Sequence, residues 1–286
     1  MINFDLGNVL IFASAILIFL GLSFYLYFAL YSKLFFSKNK ELTPEKASTF
    51  GDFINGLTGP IFALSGFLII YGTIINQNQV ENIQQFESTF FKTLDYHREN
   101  IKGIQISSPR SCKQIEGVSV WVSFYSQIKS AYNVVESDST LFKLKESDKL
   151  DLAFITFYYG LGSTDTTMLY KKLSSLNMAK ASADSYFFNL KSIKHCEDFS
   201  NYFVGYSSLF NSVVIEYFSY IQYIDELEFL EIEQKKKYID LLVVQNNSFS
   251  NIVLHYYLNS SVVDNDHLFL NKKYNVASNI DSHLFL

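Results

Sequence analysis

Arginine is nearly missing from this chain. Of 23 basic residues only Arg98 and Arg110 carry a guanidinium, against 28 acidic residues and a net charge of −5. Nucleic-acid surfaces use clustered Arg and Lys to displace counterions from phosphates, so this balance excludes a nucleic-acid binder from the expected classes. Bidentate arginine forks for phosphate are equally short. Cysteine is scarce too: Cys112 and Cys196 have no CxxC partner and read as two reduced thiols. The His195-Cys196 pair lacks the second spaced pair that a zinc site needs. Charged residues make up only 18% of the chain, whereas 49% is hydrophobic and 17% aromatic. That excludes a disordered chain and gives 286 residues enough apolar material for one or two packed domains.

Catalytic signatures are also lacking. There is no HExxH, no GxxxxGK[ST] and no GxSxG; GYSSL, from Gly205, lacks the second glycine. The GLG at Gly160 to Gly162 follows a helical pattern rather than a strand, so it reads as a helix C-cap and not a phosphate loop. Neither arginine has a histidine four to six residues on, as one class of membrane-associated ribonuclease would require. No catalytic, cofactor-binding or metal-ligating residue is therefore expected. His97 is the one ionisable residue singled out, lying in phase with an apolar stripe beside Asp95, Arg98, Glu99 and Asn100. It reads as a hydrogen-bonded core histidine, with titration near neutral pH as the alternative.

What the sequence does have is two long uncharged runs, 27 residues between Asp5 and Lys33 and 28 between Asp52 and Glu81. About 20 apolar residues cross a bilayer, so both suffice, and spans are expected at about 8–32 and 54–76. The start, MINFDLGN, has no basic n-region and no A-x-A site follows, which favours an anchor over a cleaved signal. Pro60 fits the first turn of the second span, where its missing N–H needs no partner. Small residues at Gly59, Ala63 and Gly66 suggest a helix-packing face, with Ser14 and Gly21 on a similar face of the first span.

Beyond the membrane the pattern is helical. Val80, Ile83, Phe86, Phe90, Leu94, His97, Ile101 and Ile104 recur at three- and four-residue steps. No strong breaker separates this stripe from the second span, so Phe86, Phe90, Leu94 and His97 are expected on a coupling helix continuous with it. Further helices are expected around Trp121–Val135, Leu150–Tyr159, Phe199–Ile224 and Lys235–Leu258. Glu231 with Lys235 and Glu233 with Lys237 read as i,i+4 surface pairs. The repeated HLFL at His267 and His283 reads as two packing contacts. The fold class is thus all-α: a membrane hairpin over residues 1–78, then a helical domain over 79–286.

FGDFINGLTGPIFALSGFLIIYGTIINQNQ and FESTFFKTLDYH, with AFITFYYGLG, YIQYID, KKKYIDLL, HYYLN and LNKKYNV in order behind them, resemble the AbiC-like phage abortive infection proteins. The likeness covers nearly the whole chain and is most specific over Phe50 to His97. It implies a bacterial inner-membrane antiphage effector with the lipid bilayer and a second copy or a defence partner as its contacts. It also implies family-motif polar positions at Asp52, Gln245 and Asn259. A histidine-arginine-histidine group of the family pattern falls here on Ser212, Ile215 and Glu216, and a further arginine on Val243. A polar pocket built from those residues is accordingly expected to be lost, leaving a membrane effector rather than a tethered hydrolase or nuclease, or a non-catalytic assembly protein. Orientation is in conflict: Lys33, Lys38, Lys40 and Lys46 place the inter-span loop in the cytoplasm and the domain outside. The resemblance and the lack of a disulfide framework place the domain in the cytoplasm, the expectation taken here.

Overall fold

The computed structural model describes residues 6–31, 43–138, 141, 143–162, 166–178, 180–277, 280 and 282–286. Ten helices and one two-stranded sheet make up these residues, so the protein is all-α as its periodicity predicts. Two compact units divide the chain, Met1–Thr89 and Phe90–Leu286. The boundary falls inside a helix.

The first unit holds α1 (Leu6–Tyr31) and the greater part of α2 (Pro44–Gly103). Both helices are long and apolar enough to cross a membrane, with mean hydropathies of 2.5 and 1.8 over their apolar stretches. Phe12, Phe19, Phe67 and Ile70 are each more than 60% exposed, the reverse of a soluble core helix. Hydroxyls along these stretches bond back to their own helix, Ser14 to Ile11 O at 2.6 Å, Thr58 to Ile54 O at 2.8 Å and Ser65 to Ile61 O at 2.8 Å. No polar hydrogen of these groups is left needing water.

The two helices meet through small residues, but not those the spacing suggested on α2. Gly7, Ser14 and Gly21 of α1 are buried seven residues apart. A Cβ on Gly72 would stand 2.7 Å from Gly7 O, and one on Gly21 3.3 Å from the Phe62 ring. Asn76 Nδ2 donates to Asn8 Oδ1 at 3.2 Å beside the Gly7 contact. Gly59 and Ala63 are exposed, and nothing lies within 4 Å of a Cβ built on Gly59 or Gly66. Pro60 is likewise not in a first turn: the helix starts at Pro44, so Pro60 sits inside it. Its missing N–H leaves the Gly56 carbonyl without its intrahelical donor, a loss membrane helices tolerate.

The second unit starts with the last turns of α2, from Phe90. β1 (Gln105–Ser107) and β2 (Gln114–Glu116) follow, antiparallel with Ile106 opposite Ile115. Three-residue strands are too short to register as alternation, which is why the sequence shows no sheet. The helices α3 (Val118–Ser137), α4 (Glu146–Tyr159), α5 (Thr166–Ser175), α6 (Lys180–Lys191), α7 (Ser207–Glu226), α8 (Ile232–Gln245), α9 (Ser248–Leu258) and α10 (Asn265–Tyr274) complete the unit. α3 packs on α4, α6 and α9; α7 packs on α4, α8 and α10. Their common core is aromatic: Phe124 lies 5.0 Å from Phe157 and 4.9 Å from Tyr206, and Phe210 lies 5.7 Å from Phe154 and 5.5 Å from Tyr257. Offset and edge-on pairs of this kind add about 0.5–1.5 kcal/mol each beyond burial.

Gly160 closes α4 as expected, its N–H donating to Thr156 O at 2.9 Å with φ +74°. Its partner is Gly205, φ +86°, where a Cβ would come within 2.4 Å of Tyr159 O. The glycines of the two failed catalytic motifs therefore form one backbone crossing, tied by Leu161 N to Phe203 O (3.0 Å) and Tyr206 N to Tyr158 O (3.1 Å). Asn247 splits the expected helix Lys235–Leu258, because its side chain caps α9 by accepting from Ser250 N at 2.9 Å. Glu231 caps α8 in a box with Gln234 instead of pairing with Lys235, whose Nζ donates to Asp225 O at 2.6 Å. Both HLFL copies make packing contacts: His267 stacks on Phe218 at 4.1 Å, and Leu284 O accepts from Tyr125 (3.1 Å) and Tyr256 (3.2 Å) hydroxyls.

The two cysteines are not reduced thiols. Cys112 and Cys196 form a disulfide across a sequence separation of 84, fastening the β1–β2 hairpin to the chain between α6 and α7. Cys196 N also donates to Pro109 O at 2.9 Å. Sequence spacing without a motif could not pair them, since only the fold brings the two loops together.

Candidate functional site

Two adjoining cavities lie where the last turns of α2 face α7, in the second unit. Helical spacing builds the walls of the larger one. His97, Asn100 and Ile101 come from α2, and Leu209, Ser212, Val213 and Glu216 come from α7 at i, i+3, i+4 and i+7. The larger cavity holds about 300 Å³ and is also bordered by Glu99, at the lower end of volumes for small-molecule sites. The smaller holds about 20 Å³, room for one water or one terminal oxygen, with Trp121, Tyr217 and Asn246 in its wall. His97, Ile101 and Val213 border both.

Glu216 organises the larger cavity. Its Oε1 accepts from Asn100 Nδ2 at 2.9 Å and from the Tyr220 hydroxyl at 2.8 Å. Just outside, Arg98 donates through Nε (3.1 Å) and Nη2 (2.7 Å) to Gln245 Oε1 and pairs with Asp95 at 3.4 Å. The guanidinium therefore serves α8 and its own helix.

His97 is 2% exposed and stands 5.5 Å from the Tyr217 ring. Burial lowers its pKa below the usual histidine value, with Glu216 and the Asn246 side chain pulling the other way more weakly. The imidazole is neutral at pH 7. It is not the satisfied core histidine that the sequence suggested, because its Nε2 has no hydrogen-bond partner. Trp121 Nε1 is in the same condition and over nine-tenths buried. Two such atoms around one small cavity are unusual, since buried polar groups are nearly always bonded.

The expected site residues fall in different places. Phe90, Leu94 and His97 are buried along one face of α2, with Phe90 edge-on to Tyr238 at 5.2 Å; Phe86 is buried too, while Val80 at the start of the stripe is 54% exposed. Gln245 is Arg98's partner. Asn259 ends α9, its Nδ2 donating to His255 O at 2.9 Å, and Asp52 is exposed in the first unit. Of the substituted family positions, Ser212 and Glu216 border the larger cavity while Ile215 is 59% exposed and Val243 is buried. Glu216 carries a polar cluster here with Asn100 and Tyr220. Tyr217 and Asn246 went unremarked in the sequence, and Asn100 and Trp121 were noted only as a neighbour of His97 and the start of a helix, although Glu216, Tyr217 and Tyr220 at i, i+1 and i+4 in an apolar helix were a signal. Among the described residues no three His, Cys, Asp or Glu side chains converge as a metal ion would require.

Comparison with known proteins gives no matching family model, no matching curated protein and no matching solved structure.

Proposed function

We propose that this protein is a two-span bacterial inner-membrane sensor and effector of antiphage defence, without catalytic activity of its own, acting as a homo-oligomer or with a defence partner. One observation carries the sensing part: α2 contributes the second apolar stretch and, further along, the His97, Asn100 and Ile101 walls of the cavities. A change of occupancy at these walls acts on the helix that enters the bilayer. Repacking there, followed by rearrangement of the spans and leakage, stops the infected cell from supporting phage. Such coupling needs an element with two arrangements that both ends bias. The exposed apolar faces of α1 and α2 support bilayer insertion, and the Phe50–His97 resemblance supports the defence role.

For orientation we favour the helical domain outside the cytoplasm. Structural disulfides persist in oxidising compartments, and Cys112–Cys196 now agrees with the lysine-rich inter-span loop being internal. A fluorescent fusion at Leu286 that matures only in the cytoplasm is expected to stay dark, while an exported-enzyme fusion at the same point is active; the reverse pattern restores the cytoplasmic placement.

The decisive test records membrane potential in cells expressing the full chain, with and without phage. Early depolarisation on infection, lost in Leu17→Arg, is expected, because arginine at mid-span costs about 2.5–3.5 kcal/mol on insertion scales. Cleaved RNA or DNA with potential intact would support the hydrolase reading instead. No change in either would leave a structural role.

A further inference from the structure

The larger cavity carries acidic groups and no compensating cation. Glu216 and Glu99 border it, and among the described residues neither is ion-paired to a lysine or arginine. No basic side chain lines it, and His97 is held neutral by burial. An anion has nothing to bind there. A metal ion has too few ligands. Ile101, Ile104, Leu209 and Val213 add apolar wall beside the carboxylates, which suits an aliphatic stem. His97, 2% exposed, stands between this cavity and the small one, and its Nε2 makes no hydrogen bond within the protein.

We propose that the cavity between α2 and α7 binds a small organic cation, an alkyl amine or alkyl guanidinium, with Glu216 as its charge partner and Glu99 and Ser212 at its edge. Its N–H groups replace their water partners with the Glu216 carboxylate and the Ser212 hydroxyl, and its methylenes lie on the isoleucine and leucine wall. A charge-assisted bond to a half-buried carboxylate is stronger than a neutral one. The inference deepens the sensor reading, since it names what the input site takes.

Trp121 is the only tryptophan of the chain and borders the adjoining small cavity, so its fluorescence, excited selectively over the 20 tyrosines, reports on the neighbourhood of this site. The full chain, purified in detergent, is titrated with agmatine, and with glycerol and sodium acetate as controls. A saturable change with agmatine only is expected, weakened at least tenfold in Glu216→Gln and to a smaller degree in the exposed Glu99→Gln. No saturable change, an equal response to glycerol, or unaltered affinity in both variants overturns the proposal. Should Glu216→Gln fail to fold, unaltered affinity in Glu99→Gln suffices to do so. Failure of the titration with phage-induced depolarisation intact sinks only the ligand; agmatine binding by a protein that never depolarises cells sinks only the defence role.

Discussion

Two kinds of polar cluster sit in the helical domain, and they differ in whether their charges are answered. Asp151, 6% exposed, pairs with Lys172 at 2.5 Å and accepts from Ser261 N at 2.8 Å. Asp225 takes Lys273 at 2.5 Å together with the Tyr274 hydroxyl, and these donors outweigh burial to keep its carboxyl below the usual range. Glu216 has only neutral donors, and beside it His97 and Trp121 keep a nitrogen with no partner. The first kind joins α4 to α5 and α7 to α10. The second joins α2 to α7 through neutral donors alone.

The sharpest way to break this contrast is to remove one carboxylate of each kind. Asp151→Ala leaves Lys172 without its charge partner and is expected to cost about 3–5 kcal/mol, the range for breaking a buried pair. Glu216→Gln keeps an acceptor for Asn100 and Tyr220 and is expected to cost about 1 kcal/mol or less. Denaturant unfolding of the detergent-solubilised protein checks both, and equal losses would erase the distinction. The disulfide should rank next: such bridges typically contribute about 2–4 kcal/mol, so Cys112→Ser and Cys196→Ser are each expected to lower the unfolding free energy by that amount, and the midpoint with it. An unchanged midpoint would mean that the hairpin is held by its backbone bonds alone.

The smallest effect is a pH dependence. Burial lowers the folded-state pKa of His97, so on acidification the unfolded chain takes up the proton first. Stability contributed by keeping His97 neutral is full above the unfolded value of about 6.5 and declines as pH falls below it. His255 and His267 are lowered by burial as well and act with the same sign. His97→Gln should therefore flatten, without abolishing, the loss of stability between about pH 6.5 and 5. A slope identical to the parent's would show that burial does not lower the pKa of His97 in the folded protein.

The sequence by itself determined the helical class, the two apolar stretches and the burial of Phe90, Leu94 and His97, because uncharged run length and 3.6-residue periodicity are local properties. It marked Gly160 as a helix end for the same reason, since a positive φ after an apolar helix needs only the neighbouring turn. Tertiary structure decided everything that depends on residues far apart. Cys112 could not be paired with Cys196 from spacing, and Gly160 and Gly205 acquire their meaning only where two backbones cross. Gly72, not Gly59, meets α1 because the register of two helices is set by how both pack. His97 is the clearest case: its phase on α2 predicted burial, but Glu216, Trp121, Tyr217 and Asn246 come from α7, α3 and the α8–α9 break. Whether a buried nitrogen finds a partner there is settled by packing, not by its own helix.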